Sequence, residues 1–126
     1  IGSPIYGGKW LANAGVFAAI MSERIKGKPV ALFSLGTTGV KSPEAAGAEH
    51  TAFIDNLREV AQKLNVVSDA VFNGYFDRAN LPWYLRIIDR FAQTPQGDHR
   101  DWPAIQEWAK SLASKFPTHS PENPNL

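Results

Sequence analysis

The spacing of apolar residues predicts a chain in which short buried strands alternate with amphipathic helices. Two segments, residues 1–6 and 29–34, are short runs that are apolar on both faces, which is typical of strands in a parallel sheet. A third segment, residues 68–76, is also strand-like, and its Asn73-Gly74 pair predicts a bulge or a close approach of two backbones. We therefore expect three strands.

Helices are predicted where apolar residues recur with a period of 3.6 residues, from about Lys9 to Ile25, Thr51 to Leu64 and Leu81 to Phe91. A last helix is expected to begin near Asp101, whose carboxylate suits an N-cap. Each helix should bury one apolar stripe. The stripes are Leu11, Phe17, Ile20, Met21 and Ile25; Phe53, Leu57, Val60, Ala61 and Leu64; Leu81, Leu85 and Ile88; and Ile105, Trp108, Ala109, Leu112 and Phe116.

This order of elements predicts an α/β fold, a three-layer sandwich with a parallel sheet. Residues 28–35 should form the middle strand, flanked by the first and third segments. The domain should span residues 1–116, with loops at 36–49 and 93–100 and a disordered, proline-rich tail at 117–126. Three strands are few for an open sheet. An uncovered edge at residues 1–6 therefore predicts self-association.

The composition excludes several classes of function. The net charge of +1 gives no reason to expect a nucleic-acid partner. The absence of cysteine excludes disulfides, thiolate metal sites and cysteine nucleophiles. No apolar run is long enough to cross a membrane, and the sequence is compatible with the cytoplasm. His50, His99 and His119 are scattered and are interpreted as surface residues, so we predict no metal site and no catalytic side chain.

Three segments in sequence order resemble a known family. Residues 1–10 (IGSPIYGGKW) resemble a strand and the loop that lies against a flavin ring, and residues 28–39 (KPVALFSLGTTG) resemble the next strand and its flavin-side loop. Residues 69–109 resemble the last strand, an inserted helix and a final helix with a GD-x-RDW lead-in. Together they are similar to the flavodoxin-like FMN domains that include the menaquinone-dependent protoporphyrinogen oxidases of bacteria.

The resemblance implies that FMN binds through its ring and that the cofactor carries the redox chemistry. It assigns ring contact to two loops, with Tyr6 or Trp10 stacking on the isoalloxazine. The implied cofactor-binding residues are Ser3, Pro4, Ile5, Tyr6, Gly7, Gly8, Trp10, Ser34, Leu35, Gly36, Thr37, Thr38 and Gly39. The family's N-terminal strands and phosphate-binding loop have no counterpart before Ile1, so we expect a truncated piece that binds FMN weakly.

Two alternatives stay open at this point. The chain is either part of an FMN-dependent oxidoreductase or electron-transfer domain, with a quinone or a redox protein as partner, or a cofactor-free structural or interaction module. The segment Asn80–Phe91 mixes aromatic residues with arginines. Packing on the domain is the expected role of this helix, and contact with a quinone or a peripheral, inner-membrane surface is the alternative.

Overall fold

The computed structural model describes residues 1–6, 9–60 and 64–117, and for residues 56–60 it describes the backbone alone. The predicted tail from residue 118 onward lies outside the described residues. The chain also contains two short 3₁₀ turns, at Arg78–Asn80 and Leu112–Ser114. The strands and helices are, in chain order, β1 (Gly2–Tyr6), β2 (Lys9–Trp10), α1 (Ala12–Arg24), β3 (Pro29–Gly36), α2 (Thr38–Lys41), α3 (Pro43–Val60), β4 (Asn65–Asn73), β5 (Tyr75–Phe76), α4 (Trp83–Ala92), β6 (Gly97–Asp98) and α5 (Trp102–Ser111).

The main sheet is mostly parallel and has the strand order β2-β1-β3-β4. β3 pairs in parallel with β1 on one side and with β4 on the other, so the predicted middle strand and both of its neighbours are confirmed. The expected helix start at Lys9 is wrong, because Lys9 and Trp10 pair antiparallel with Tyr6 and Ile5 as β2. This short strand covers the carboxyl end of the β1 edge.

The third predicted strand is divided in two. β4 begins earlier than expected, at Asn65, and ends at Asn73, while Tyr75–Phe76 joins a separate antiparallel pair with Gly97–Asp98. The division occurs at Gly74, whose N–H donates to the carbonyl oxygen of Gly36 at 2.7 Å. The predicted close backbone approach at this glycine is therefore confirmed, and part of the expected loop at 93–100 is β6.

One face of the sheet is covered by α1 and α3. Because side chains alternate along a strand, Val30 and Leu32 of β3 point to the same face, where they pack with Ala18 of α1 and Ile54 of α3. Partly buried residues surround this core: Ile1, Ile25, Phe53, Leu64 and Val66. Two helices and the central strand therefore share one apolar cluster.

The buried face of α1 differs from the predicted stripe. Ala18 and Ser22 are buried, one helical turn apart, whereas Leu11, Phe17 and Ile20 are exposed. Small side chains let this helix lie close to the sheet. Of the predicted stripe, Ile25 packs against the core and Met21 is half-buried. The periodicity identified the helix but not the side on which it packs.

The expected loop at 36–49 is also wrong, since it contains α2 and the first two turns of α3. The sequence carries a start signal that the prediction missed. Ser42 precedes Pro43, and its hydroxyl accepts a hydrogen bond from the backbone N–H of Ala45 at 3.2 Å. A serine before a helical proline is a common helix start, because the serine satisfies a free N–H and proline needs none.

The opposite face of the sheet is covered by α5. The Trp108 ring makes edge-to-face contacts with Phe33 and Phe72, at centroid distances of 5.9 and 5.6 Å, and its Nε1–H donates to Ser68 Oγ at 3.1 Å. The predicted N-cap is confirmed, because Asp101 accepts from the backbone N–H of Ala104 at 3.0 Å. Leu112 and Phe116 are half-buried as expected, whereas Ala109 is exposed.

Candidate functional site

The carboxyl ends of the three parallel strands meet at one edge of the sheet. The pairs Pro4–Leu35 and Gly36–Asn73 lie opposite each other at the ends of adjacent strands. The hydrogen bond from Gly74 to Gly36 continues this contact beyond β4. Open α/β sheets bind their ligands at this edge, where loops rather than helices cover the strand ends.

The structure brings both predicted loops to this edge, but it exposes their residues unequally. Tyr6 is 62% exposed, and the side chains of Ser3, Trp10 and Ser34 are buried. Gly7 and Gly8 lie outside the described residues. The other predicted residues are half-buried: Pro4, Ile5, Leu35, Gly36, Thr37, Thr38 and Gly39.

Trp10 packs inside the domain. Its ring stacks on Phe53 of α3 with centroids 3.5 Å apart and planes 10° from parallel. Its Nε1–H donates to Ser34 Oγ at 2.8 Å. One face of the indole and its polar group are therefore already engaged. Of the two aromatic residues that the sequence offered for ring stacking, Tyr6 is the accessible one.

Ser3 holds the turn that carries these residues. Its Oγ accepts a hydrogen bond from the backbone N–H of Leu11 at 3.3 Å and donates to the carbonyl oxygen of Pro4 at 3.0 Å. The hydroxyl thus ties β1 to the segment that enters α1. This contact positions the edge, and the side chain itself faces inward.

Gly39 allows the second loop to lie against β4. A Cβ atom at this position would stand 2.5 Å from Asn73 Oδ1 and 3.3 Å from the Cβ of Ala46. Real side chains do not tolerate the first distance unless Asn73 moves. Because Gly39 has no side chain, the backbone of residues 37–39 lies close to Asn73 at the end of β4.

A chain of hydrogen bonds connects four elements beneath this edge, and it is buried except at Asp69, which is half exposed. Ser34 Oγ lies 2.7 Å from His50 Nδ1, and His50 Nε2 lies 3.1 Å from Asp69 Oδ2. Trp10 donates to the same Ser34 oxygen. Every hydrogen finds a partner when Ser34 donates to Nδ1 of a neutral imidazole and Nε2–H donates to Asp69. The network joins β2, β3, α3 and β4.

The interpretation of His50 as a surface residue is wrong, since its exposure is 5%. A signal was present in the sequence. Once α3 is extended to Pro43, Ala46, His50 and Ile54 recur at intervals of four, and all three are buried. The shorter predicted helix left His50 in a loop and hid this pattern.

The residue types in this network match a serine–histidine–aspartate triad, an arrangement that the sequence did not reveal. The geometry does not support nucleophilic catalysis. Ser34 is 0% exposed, so a substrate carbonyl has no path to its oxygen. That oxygen also accepts the Trp10 N–H. We interpret the network as a satisfied polar core that fixes the relative positions of the strand ends.

Lys41, the lysine closest in sequence to the second loop, binds backbone carbonyl oxygens at the end of α4. Lys41 Nζ donates to the backbone carbonyl oxygens of Ala92 and Gln93, with a distance of 3.5 Å to the first. These carbonyls are at the end of α4, where a positive charge is favourable. Lys41 therefore joins α2 to α4 and is not directed at a ligand.

A charged cluster lies on the two-stranded sheet that follows Gly74. Arg100 forms an ion pair with Asp98 at 2.5 Å, and its hydrogen bonds lower the pKa of that carboxyl to about 2. The negative charge of Asp77 raises the pKa of Tyr75. The Arg100 guanidinium also lies 5.9 Å from the Tyr75 ring centroid. Arg100 therefore offsets the charge of Asp98 and also lies against the Tyr75 ring.

Within residues 1–6, 9–60 and 64–117, no group of three histidine, aspartate or glutamate residues is arranged to hold a metal ion. Over the same residues, no helix has the length and apolar character needed to cross a membrane. Comparison with known proteins finds no matching family model, no matching curated protein and no matching solved structure.

Proposed function

We propose that this chain forms the ring-binding side of an FMN site in a flavodoxin-like oxidoreductase or electron-transfer domain. The observation that carries the proposal is the meeting of the two ring-side loops at the carboxyl edge of adjacent parallel strands, with Ser3 opposite Ser34 and Pro4 opposite Leu35. In parallel α/β sheets, ligands occupy this position for a topological reason that does not depend on the particular side chains.

The described residues fit a flat ring better than a phosphate. Tyr6 offers an exposed aromatic face, and the backbone of Gly36 beside it at the sheet edge is half-buried. Lys41 is held by carbonyl oxygens at the end of α4 and does not supply a phosphate contact. FMN would supply electron or hydride transfer, and the protein would orient the ring and tune it with hydrogen bonds.

The proposal extends to partners and location. A quinone or a redox protein would exchange electrons at the exposed edge of the ring, and the domain would work in the cytoplasm, peripheral to the inner membrane. Self-association through β1 is part of the same proposal. β2 covers only Ile5 and Tyr6 on that edge, so the amino-terminal half of β1 is the segment expected to pair.

Titration with riboflavin and with FMN, followed by flavin fluorescence, tests the proposal. If the ring dominates recognition, the two ligands should bind with dissociation constants within about threefold of each other. Tyr6→Ser should weaken both by about two- to tenfold, since aromatic stacking contributes about 0.5–1.5 kcal/mol. Tyr84→Ser, at a similarly exposed tyrosine on α4, is the matched control and should change neither constant.

Two outcomes would contradict the proposal in different ways. FMN binding more than about tenfold tighter than riboflavin would show that the phosphate is held after all. Failure of both ligands to bind would favour the second candidate, a cofactor-free interaction module. That candidate is supported by the number of large apolar side chains that α1 and α4 leave exposed, because large apolar patches mark interaction surfaces.

A further inference from the structure

The helix α4 does not pack as the sequence predicted. The expected buried residues Leu85 and Ile88 are exposed, and Asp89 is the buried residue of this helix. Trp83 is 73% exposed and Phe91 is 84% exposed. We define the α4 surface as the six large apolar residues that the helix exposes: Trp83, Tyr84, Leu85, Ile87, Ile88 and Phe91.

Polar contacts, rather than apolar packing, hold α4 in place. Arg78 Nε donates to Asp89 Oδ2 at 2.6 Å. A hydrogen bond from Thr94 and, to a smaller extent, this contact with Arg78 lower the pKa of Asp89. Arg86 donates to the carbonyl oxygens of Leu81 and Ala79 at 2.7 and 2.6 Å. The helix is therefore fixed by its polar side, and its apolar side chains are presented outward.

Three arginines border one side of the α4 surface. Arg78, Arg86 and Arg90 line an open depression of about 370 Å³ together with Ile87. The carboxylate of α4, Asp89, is buried and paired with Arg78. The solvent side of this region therefore combines exposed aromatic and aliphatic groups with positive charge.

This combination matches an anionic lipid surface. Interfacial helices place apolar side chains at the boundary between headgroups and acyl chains, and their arginines contact lipid phosphates. Tryptophan and tyrosine favour this boundary, and Trp83 and Tyr84 lie side by side with ring centroids 6.0 Å apart. A symmetric contact with a second copy of the chain would bring like-charged arginines together, which disfavours that occupant.

We propose that the α4 surface docks on the surface of an anionic bilayer, with its apolar side chains inserted at the headgroup boundary and Arg90 at the lipid phosphates. The inference does not depend on FMN. It rests on the membrane-peripheral location proposed above and names the surface that makes the contact, which is different from the sheet edge.

Sedimentation of the full chain with lipid vesicles tests the proposal. Binding should be strong on vesicles that contain phosphatidylglycerol, weak on pure phosphatidylcholine and reduced by added salt, because the arginines act through a screened attraction. The double variant Ile88→Ser/Phe91→Ser should bind anionic vesicles at least about tenfold more weakly. Arg90→Gln should weaken binding about fivefold.

Matched controls come from α1, which exposes the same residue types at the same spacing. Phe17→Ser/Ile20→Ser and Arg24→Gln should leave vesicle binding unchanged, and circular dichroism should show all variants folded. Equal loss in the α1 controls would overturn the assignment to α4. Equal binding to neutral vesicles would overturn the role of charge. Absence of vesicle binding, with a dimer that the α4 variant abolishes in sedimentation velocity, would identify a second copy as the occupant.

Discussion

Replacing Ser34 with alanine tests whether the buried network is a structural core. The substitution removes the oxygen that accepts the Trp10 N–H at 2.8 Å and lies 2.7 Å from His50 Nδ1. Two buried polar atoms then lose their partner in a region without solvent. Each unsatisfied group costs about 1–3 kcal/mol, so we expect Ser34→Ala to lower the free energy of unfolding by about 2–4 kcal/mol after partial relaxation. That loss is a large fraction of the stability of a typical domain.

Urea unfolding followed by far-ultraviolet circular dichroism measures this loss. Ser114→Ala is the control, because that hydroxyl is exposed and donates to a backbone carbonyl, and its effect should stay within about 0.5 kcal/mol. A double-mutant cycle sharpens the test. Trp10→Phe removes the donor, so it should cost at least about 1 kcal/mol less in the Ser34→Ala background than in the wild type. A Ser34→Ala effect as small as that of the control would refute the network's structural role.

Three further predictions concern the helix cap, the loop glycine and the charged cluster. Asp101→Ala should lower the free energy of unfolding by about 1 kcal/mol, measured by urea unfolding against Asp101→Asn, which keeps a capping oxygen and should change little. Gly39→Ala should lower the melting temperature, since its Cβ would meet Asn73 Oδ1 at 2.5 Å; an unchanged melting temperature would show that Asn73 moves freely. The pKa of Asp98 is lowered to about 2 by Arg100, so its stabilisation is present above about pH 4 and is lost as the pH falls through about 2. The difference in unfolding free energy between wild type and Asp98→Asn should therefore shrink over that window, and a difference independent of pH would contradict the assignment.

Signals carried by neighbouring residues predicted much of the fold. The apolar run of β3 and the strands on either side of it gave a parallel sheet, because segments separated by helices pair in that way. The Asp101 N-cap could be predicted from the sequence because the capping carboxylate and the backbone N–H that donates to it lie only three residues apart. The start of α3 at Pro43 was equally local, and the prediction missed it by counting Ser42 and Pro43 among the loop-forming residues of 36–49.

The choice of which side of a helix is buried was not local. The sequence of α1 offers large apolar residues on one face and small residues on another, and the sheet accepts the small face around Ala18. In α4 the same apolar periodicity gives no buried stripe, because Arg78 and Lys41 hold the helix by its polar side and by its end. Periodicity specifies that a helix has an apolar face, and only the neighbouring elements decide whether that face is covered.

The sequence by itself therefore determined the three parallel strands, the main helices between them and the edge at which the strand ends meet. Only the tertiary structure decided what lies at that edge and beneath it. Trp10 and Ser34 are 24 residues apart and Ser34 and His50 are 16 apart, yet they share one hydrogen-bond chain. The interval of four in α3 marks His50 as buried, but it does not identify the side chains that His50 meets. That pairing depends on the register of strands and the rotation of helices, which are set by packing over the whole domain.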